Sequence, residues 1–218
     1  SDISICDDDN DGINSFDFIT DVTPTVLATQ DPLGFSVTYH PTQEDADANT
    51  AAYPNPYSNV LTQESVFVRI ENVNNVTCFD TTSFGIEVFE TPVVAASNDL
   101  QNCDDGTDGD LTNGQTQTDL SALTAVVLGA QDATLFSVSY HLDIADAEAG
   151  ANPLPLTYYN TTAFNQTLVV RIENTTNTDC YATQEFTVIV NTTPTANAVS
   201  DISICDDDND GINSFDFI

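Results

Sequence analysis

VFVRIEN, at residues 66–72, alternates apolar side chains with others, and VVRIEN, at residues 169–174, repeats the pattern. Alternation with a period of two is typical of a β-strand that buries one face. Val66, Val68 and Ile70 are therefore expected to face a core. The two stretches predict a core strand in each half of the chain, and with it two copies of one module.

These stretches belong to a longer internal repeat. When the first half of the chain is laid over the second, two residue pairs align at a shift of 102 and one at a shift of 97. The second module therefore gains five residues after its first cysteine. Self-similarity on this scale indicates a tandem array of modules. The aligned pairs are Arg69 with Arg171, Cys78 with Cys180, and Cys6 with Cys103.

A further copy begins near the carboxyl end of the sequence. The stretch SDISICDDDNDGINSFDFI, residues 1–19, recurs letter for letter at residues 200–218. Identical copies on either side of a diverged one indicate an alternating array. Residues 200–218 are either a truncated module or a strand donated to a neighbour. We predict a first module at 1–94, a second at 95–196, and the start of a further copy of the first at 197–218.

The predicted fold is all-β. Helical spacing is confined to residues 45–48 and 144–149, whereas period-two alternation recurs in each module. Several short strands separated by turn-rich segments are typical of an immunoglobulin-like β-sandwich, and we expect two such modules in a linear array. Besides the strands above, the inward-facing sets are Phe35, Val37 and Tyr39, then Phe84, Ile86 and Val88, with matching residues in the second module.

The charge balance excludes two classes of partner. Asp and Glu number 35 against two Arg and no Lys, giving a formal net charge of −33. Such a surface repels nucleic acid and anionic membranes and attracts cations. The sequence also lacks the run of about 18 apolar residues that spans a bilayer, so we expect no membrane insertion. Adaptation to high salt is the competing explanation of the charge.

An acidic loop, CDDDNDG at residues 6–12, is the first candidate site. Its aspartates fall at alternate positions before a glycine, which is how calcium loops bring hard oxygen ligands together. No helices are expected beside it, so it is not an EF-hand. We predict a structural Ca²⁺ site, and the alternative is a solvated acidic turn. The candidate ligands are Asp7, Asp9, Asp11 and Asp17.

The same loop recurs twice. In the second module it reads CDDGTDG at residues 103–109, where Gly106 replaces the central aspartate, so weaker binding is expected. The further copy repeats the first loop without change. The candidate ligands are Asp104, Asp108 and Asp119 in the second module, and Asp206, Asp208, Asp210 and Asp216 in the further copy.

Five cysteines suit one disulfide in each module, with the fifth awaiting a partner. The predicted bridges join Cys6 to Cys78 and Cys103 to Cys180, and they point to an oxidising compartment. Spacing alone does not determine connectivity. Buried free thiols, or bridges between modules such as Cys78 with Cys103, remain the alternatives.

The few basic residues suggest structural roles. Arg69 and Arg171 occupy one equivalent position among many carboxylates, so we predict a structural ion pair, for example with a neighbouring acidic loop. His40 and His141 stand alone in their modules and are predicted to lie on the surface at strand ends. The sequence holds no recognisable nucleophile elbow. The chain is therefore predicted not to be an enzyme.

Several motifs together resemble a known group of proteins. ICDDDNDG with FDF, VTYH, DADAN, VRIEN and CFDTT are similar to the repeat modules of giant cell-surface proteins of gliding Bacteroidota, especially flavobacteria, exported by type IX secretion. The resemblance covers both complete modules. It implies an extracellular, cell-surface adhesin or filament shaft, connected with attachment and gliding. Asp80-Thr81-Thr82 resembles the short O-glycosylation signal of that phylum, which makes Thr81 a candidate acceptor.

We therefore predict the structural repeat region of an extracellular adhesin or surface filament, stiffened by calcium and disulfides. Its partners are neighbouring repeats of the same chain, with surface glycans or other filaments as further candidates. The alternative is a set of carbohydrate-binding β-sandwich modules attached to a secreted multidomain enzyme. Such modules usually display exposed aromatic platforms. This chain has no Trp, and its Phe and Tyr fall mostly at inward positions.

Overall fold

The computed structural model describes residues 2–106 and 109–217. It shows two mostly β modules joined by a linker, and the predicted fold class, tandem immunoglobulin-like β-sandwich modules, is confirmed. The first module comprises β1 (Ile3–Cys6), β2 (Ser15–Phe16), α1 (Phe18–Asp21), α2 (Thr23–Leu27), β3 (Phe35–His40), α3 (Gln43–Ala48), β4 (Tyr57–Ser58), β5 (Gln63–Asn72) and β6 (Asn75–Phe89). The second comprises β7 (Leu100–Cys103), β8 (Gln117–Asp119), α4 (Ser121–Leu128), β9 (Phe136–His141), α5 (Ile144–Ala149), β10 (Thr157–Tyr159), β11 (Asn165–Asn174) and β12 (Tyr181–Asn191).

Each module contains one four-stranded sheet and one two-stranded ribbon. The sheet orders are β1-β6-β5-β3 and β7-β12-β11-β9, and the ribbons are β2-β4 and β8-β10. The first strand of each module pairs in parallel with the last strand of the module in chain order, β1 with β6 and β7 with β12. Cys6 therefore lies opposite Phe89, and Cys103 lies opposite Asn191. The first cysteine of each module therefore sits at the carboxyl end of the module's last strand.

The core lies where the alternation predicts. Val66 and Val68 are buried in the first module, as are Val170 and Ile172 in the second. Phe18, at the start of α1, packs against the rings of Tyr39, Tyr57 and Phe84 in the centre of the first core. Burial of such aromatic and β-branched side chains is the main contribution to the stability of each module.

Two helices were predicted and three were not. α3 and α5 cover the predicted segments, and each begins at a side-chain cap, Thr42 for α3 and Asp143 for α5. α1, α2 and α4 are 4, 5 and 8 residues long. Helices this short show little periodicity in sequence and are stabilised by tertiary packing.

The two arginines confirm the predicted ion pair, with a different partner. The Arg69 guanidinium donates from Nε to Glu71 Oε2 at 2.7 Å, from Nη1 to the last carbonyls of α3, and from Nη2 to the Val76 carbonyl. It also lies 3.6 Å from the centre of the Phe79 ring. The partner is thus the glutamate two residues further along β5, and the arginine ties together α3, β5 and β6. Arg171 does the same with Glu173 at 2.7 Å.

The prediction that the histidines lie on the surface is wrong. His40 and His141 are completely buried, because α3 and α5 and the turns that follow them cover the strand ends. His40 Nδ1 is 2.7 Å from the Thr50 carbonyl oxygen, and its Nε2 is 2.8 Å from the Thr38 hydroxyl. Because a carbonyl only accepts, Nδ1 donates to Thr50, and Nε2 shares a hydrogen bond with the Thr38 hydroxyl.

Arg69→Met should destabilise the first module by about 3 kcal/mol, because it leaves a carboxylate unpaired in a buried site. The Glu71 side chain is 11% exposed and the Glu173 side chain 25%, so the matched Arg171→Met should cost less. Denaturant-dependent hydrogen exchange resolved by module measures both losses. Adding Glu71→Gln to Arg69→Met should recover part of the stability lost by the first module. If Arg69→Met left the stability of the first module unchanged, the ion pair would not have the structural role assigned to it.

Candidate functional site

A disulfide closes the joint between the two modules. Cys6 of the first module is bonded to Cys180 of the second, 174 positions further along the sequence, and their Cα atoms lie 5.4 Å apart. Both predicted bridges within modules are therefore wrong. Among the described residues, Cys78, Cys103 and Cys205 are exposed free thiols.

Strand geometry explains why the predicted pairs do not form. Cys6 lies opposite Phe89 at the end of β6, whereas Cys78 lies near the start of the same strand. The intervening residues span roughly 36 Å at 3.3 Å per residue, while a disulfide needs Cα atoms within about 7 Å. Cys103 and Cys180 are separated in the same way by β12. Each module therefore carries its second cysteine at an entry end, where the chain arrives, and its first at an exit end.

Residues 90–99 form the linker, and their first half is held by the second module. Asn174 Nδ2 donates to the Glu90 carbonyl at 3.1 Å, beside the disulfide. The Gln131 side chain makes two hydrogen bonds to the backbone of Val93. Its Oε1 accepts from the Val93 N–H at 2.9 Å, and its Nε2 donates to the Val93 carbonyl at 2.6 Å. A free linker would make none of these contacts, so the joint has a defined geometry.

The second half of the linker lies between α4 and the sheet of the second module. Val94 packs against its core, and the Ala95 N–H donates to the Val127 carbonyl at 2.9 Å. The Ser97 hydroxyl donates to the Glu185 carbonyl at 3.3 Å. The linker is therefore continuous with β7, which joins the edge of the sheet immediately after it.

The first acidic loop is built around a buried carboxylate. Asp7 is 1% exposed, and its oxygens accept the backbone N–H groups of Asp9, Asn10 and Gly12 at 3.2, 2.9 and 2.6 Å. Gly12 has a φ of +81°, which favours glycine. One carboxylate oxygen from each of Asp7, Asp9 and Asp11 lies within 4.8 Å of the others. The structure thus brings three of the four predicted ligands of this loop together.

This loop also holds the start of the linker. Asn10 Nδ2 donates to the Thr91 carbonyl, and Asn10 Oδ1 accepts from the Thr91 N–H, both at 2.9 Å. The Thr91 hydroxyl donates to the Asp7 carbonyl at 2.6 Å. The order of the acidic loop and the direction of the departing chain are therefore coupled.

Asp17, the fourth predicted ligand, does not join the cluster. Phe16 and Phe18 on either side of it are buried, and the Asp17 carboxylate caps α1 instead, accepting from Thr20 and from Asn55. The bonds from Asn55 and Thr20 lower the pKa of Asp17 below its usual value. Asp119 accepts in the same way from Ser121 at the start of α4. Both predictions of a closing ligand are therefore corrected: Asp17 is the N-cap of α1, and Asp119 accepts from the first residue of α4.

The other two acidic loops differ from each other. Asp206, Asp208 and Asp210 form the same group as in the first loop, although Asp206 is only half-buried and the other two are exposed. Asp216 is exposed and lies outside the group. Backbone donation from Gly211 is the main cause that lowers the pKa of Asp206.

In the second module, Asp104 is buried and accepts from the Gly106 and Gly114 N–H groups. Asp108 lies outside the described residues, and among those described there no three carboxylates come together.

Two asparagines that we did not predict support the loops. Asn59 is 2% exposed; its Oδ1 accepts from the Asn14 N–H at 2.6 Å and its Nδ2 donates to the Gly12 carbonyl at 2.8 Å. Asn160 makes the matching bonds to Thr116 and Gly114 in the second module. Both modules have asparagine at this repeat position, and this identity was the signal by which the sequence could have revealed the two residues. The candidate acceptor Thr81 is half-buried in β6 and accepts from Gln43 Nε2 at 2.9 Å, and its glycosylation stays a prediction.

Two repeated β modules tied across their joint by a covalent bond define a class of structural tandem-repeat proteins. The model of the Flavobacterium inter-domain disulphide bond domain matches this chain at residues 2–92 and again at residues 99–194. The chain belongs to this family. No protein with a curated description matches it.

Comparison with solved structures finds distant likenesses. A three-domain fragment of titin, I67-I69, shares 7% identity with a TM-score of 0.28, over 72% of this chain and 55% of that chain. Human mucin-like protocadherin EC1-2 shares 10% identity with a TM-score of 0.22, over 75% of this chain and 86% of that chain. Within the described residues, no helix has the length and apolar character needed to cross a membrane.

Tryptic mapping of the unreduced chain tests the bridge. After thiol blocking and denaturation, cleavage at Arg69 and Arg171 gives fragments 1–69, 70–171 and 172–218, which hold Cys6, then Cys78 with Cys103, then Cys180 with Cys205. We expect the first fragment to migrate with the third, because the disulfide joins them.

Cys205→Ser, which leaves the bridge intact, is the control and should not change the pattern, whereas Cys180→Ser should release the first fragment. A linked first and second fragment would restore the pairing within the module.

Proposed function

We propose that this chain is part of the structural repeat region of an extracellular surface filament, the shaft of an adhesin used in attachment and gliding. The single observation that carries the proposal is the Cys6–Cys180 bond, which spans a joint and joins no two residues of the same module. Disulfides persist in oxidising compartments, which supports an extracellular location. Within this proposal the role of the chain is mechanical and not catalytic.

The remaining cysteines extend the pattern in both directions. Cys103 occupies the repeat position of Cys6 at an exit end, and Cys78 occupies that of Cys180 at an entry end, and both thiols are exposed. In a longer array, Cys103 would bond the entry end of the following module and Cys78 the exit end of the preceding one. Every joint would then carry one disulfide.

Such an array would resist extension. Tension would pass across each disulfide and then along the 25 residues from Cys78 to Cys103, or from Cys180 to Cys205, before the next bridge. Much of each segment is β6 or β12, which is already extended. The helices, and the strands other than β6, β7 and β12, would lie outside the path of the force. A shaft of this kind transmits tension without unfolding its modules.

Single-molecule pulling on the two-module chain tests this role. With the Cys6–Cys180 bond intact, the 174 residues that it spans should contribute no length. In Cys180→Ser, unfolding should release roughly 600 Å more, since an extended chain spans up to about 3.6 Å per residue.

Cys205→Ser is the matched control, because it removes a thiol outside the bridge and should behave as the parent. Equal released lengths with and without the bridge would contradict the mechanical role.

Calcium is the second component of the proposal. Asp7, Asp9 and Asp11 supply three hard oxygen ligands within 4.8 Å of one another, and other oxygens of the loop or water would complete the shell. A bound ion would offset the repulsion among these carboxylates. Because the loop also holds Thr91, binding would order the start of the linker and stiffen the joint.

Calorimetric titration of variants tests the calcium site. We expect two sites per chain, in the first loop and its further copy, with dissociation constants of about 10⁻⁴–10⁻³ M, which is typical of extracellular modules. Asp9→Ala should remove one site and Asp9→Ala with Asp208→Ala both.

Asp17→Ala removes a helix cap and should leave the stoichiometry unchanged. Binding that survives the double change, or no binding by the parent chain, would refute the site.

A further inference from the structure

The first module has an open groove beside its sheet. Its volume is about 410 Å³, and it runs between α2 and the sheet strands β5 and β6. Its lining is mixed. Ile3, Val26, Ile70 and Phe84 form an apolar floor, and Asp21, Gln30 and Asp80 are among the polar residues around it. Within the described residues, the Gln30 side-chain amide makes no hydrogen bond. The groove thus offers an apolar floor beside a side-chain amide that is available to a docked backbone.

The corresponding surface of the second module is occupied by the linker. Val127, Gln131 and Glu185 hold Ala95, Val93 and Ser97 there. Their repeat equivalents in the first module are Val26, Gln30 and Ser83, which all line the groove. Two of the three contacts use backbone carbonyls and the third an identical glutamine. The groove therefore presents the same docking points in the same order.

Residues under the linker in the second module are more deeply buried than their equivalents in the groove of the first module. In the second module, Leu123, Val127 and Ile172 are 2%, 0% and 0% exposed. Their equivalents in the first module, Val22, Val26 and Ile70, are only partly buried. The difference follows from the cover, because the linker residue Val94 packs against the second core.

The chain also approaches both surfaces along one path. Asp99, just after the docked linker, accepts from the Thr187 N–H at 2.8 Å. Asp2 accepts from the equivalent Gly85 N–H, also at 2.8 Å. Ile3 and Leu100 then pair with equivalent residues of the last strand. A segment placed immediately before the first module would therefore enter along the groove.

We propose that this groove is the docking site for one particular segment, TANAV at residues 195–199. Residues 200–218 repeat residues 1–19 without change, so residues 195–199 are the sequence that precedes a copy of this module. In this chain the segment is exposed. The occupant is thus the linker of the array, and the inference rests on the tandem arrangement of the proposed function.

The register follows from the distance to the next cysteine. Pro92 and Pro194 each lie 11 residues before one, so Thr195 corresponds to Val93, Ala196 to Val94 and Asn197 to Ala95. The Gln30 side chain would make two hydrogen bonds to the backbone of Thr195. Ala196 would cover the apolar floor, and the Asn197 N–H would donate to the Val26 carbonyl. Backbone contacts carry most of the recognition, so a different side-chain sequence can dock in the same way.

A graft tests the proposal. Residues 192–199 are added in front of Ser1 of the full chain, and hydrogen exchange is followed in α2 and, as an internal reference, in α4. We expect exchange in α2 to slow at least tenfold and exchange in α4 to stay unchanged, because only the first groove gains a cover. Gln30→Ala in the grafted chain should abolish most of the gain, and Gln131→Ala should loosen only α4.

The matched control is a graft carrying Ala196→Asp in the added copy, which places a charge on the apolar floor and should give no protection. Equal protection by both grafts, or none by either, overturns the proposal. The graft adds no cysteine, so a graft that gives no protection would count against linker docking and not against the disulfide array. A pulling experiment with the opposite result would count against the mechanical role and not against linker docking.

Discussion

Parallel pairing of the first strand of each module with its last strand is the constraint on which the rest of the structure depends. It places the first cysteine at the far end of a strand whose near end carries the second, roughly 36 Å away at the rise of a β-strand. No disulfide spans such a distance. The cysteines therefore face outwards along the array, one at each end of a module, and Cys6 can reach Cys180 only because the next module presents its entry end.

The joint combines covalent, polar and apolar contacts that reinforce one another. The disulfide joins the exit end of the first module to the entry end of the second. Gln131 makes two hydrogen bonds to the backbone of Val93, and Val94 packs against the core of the second module. On the other side, the acidic loop holds Thr91 through Asn10. Each contact reduces the freedom that the next one must remove, so ordering the linker costs less entropy than it would for any contact alone. The joint is therefore part of the folded structure and not a flexible spacer.

Buried polar groups position the helices that cover the sheets. The Arg69 guanidinium binds carbonyls in the last turn of α3, where the helix dipole is negative, and pairs with Glu71 of its own strand, β5. His40 reaches the turn after the same helix. Charged and polar groups are costly to bury unless all of their hydrogen bonds are made, so these contacts select one placement of the helix.

The sequence by itself determined the repeat, the all-β class, the inward-facing strand residues, the two capped helices and the convergence of Asp7, Asp9 and Asp11. All of these depend on local spacing, which periodicity and turn geometry translate directly into structure. Only the tertiary structure decided the disulfide partners, the burial of His40 and His141, the capping role of Asp17 and the path of the linker. These depend on which strand ends and surfaces meet in space, and residues 174 positions apart in sequence become neighbours only when two folded modules are placed end to end.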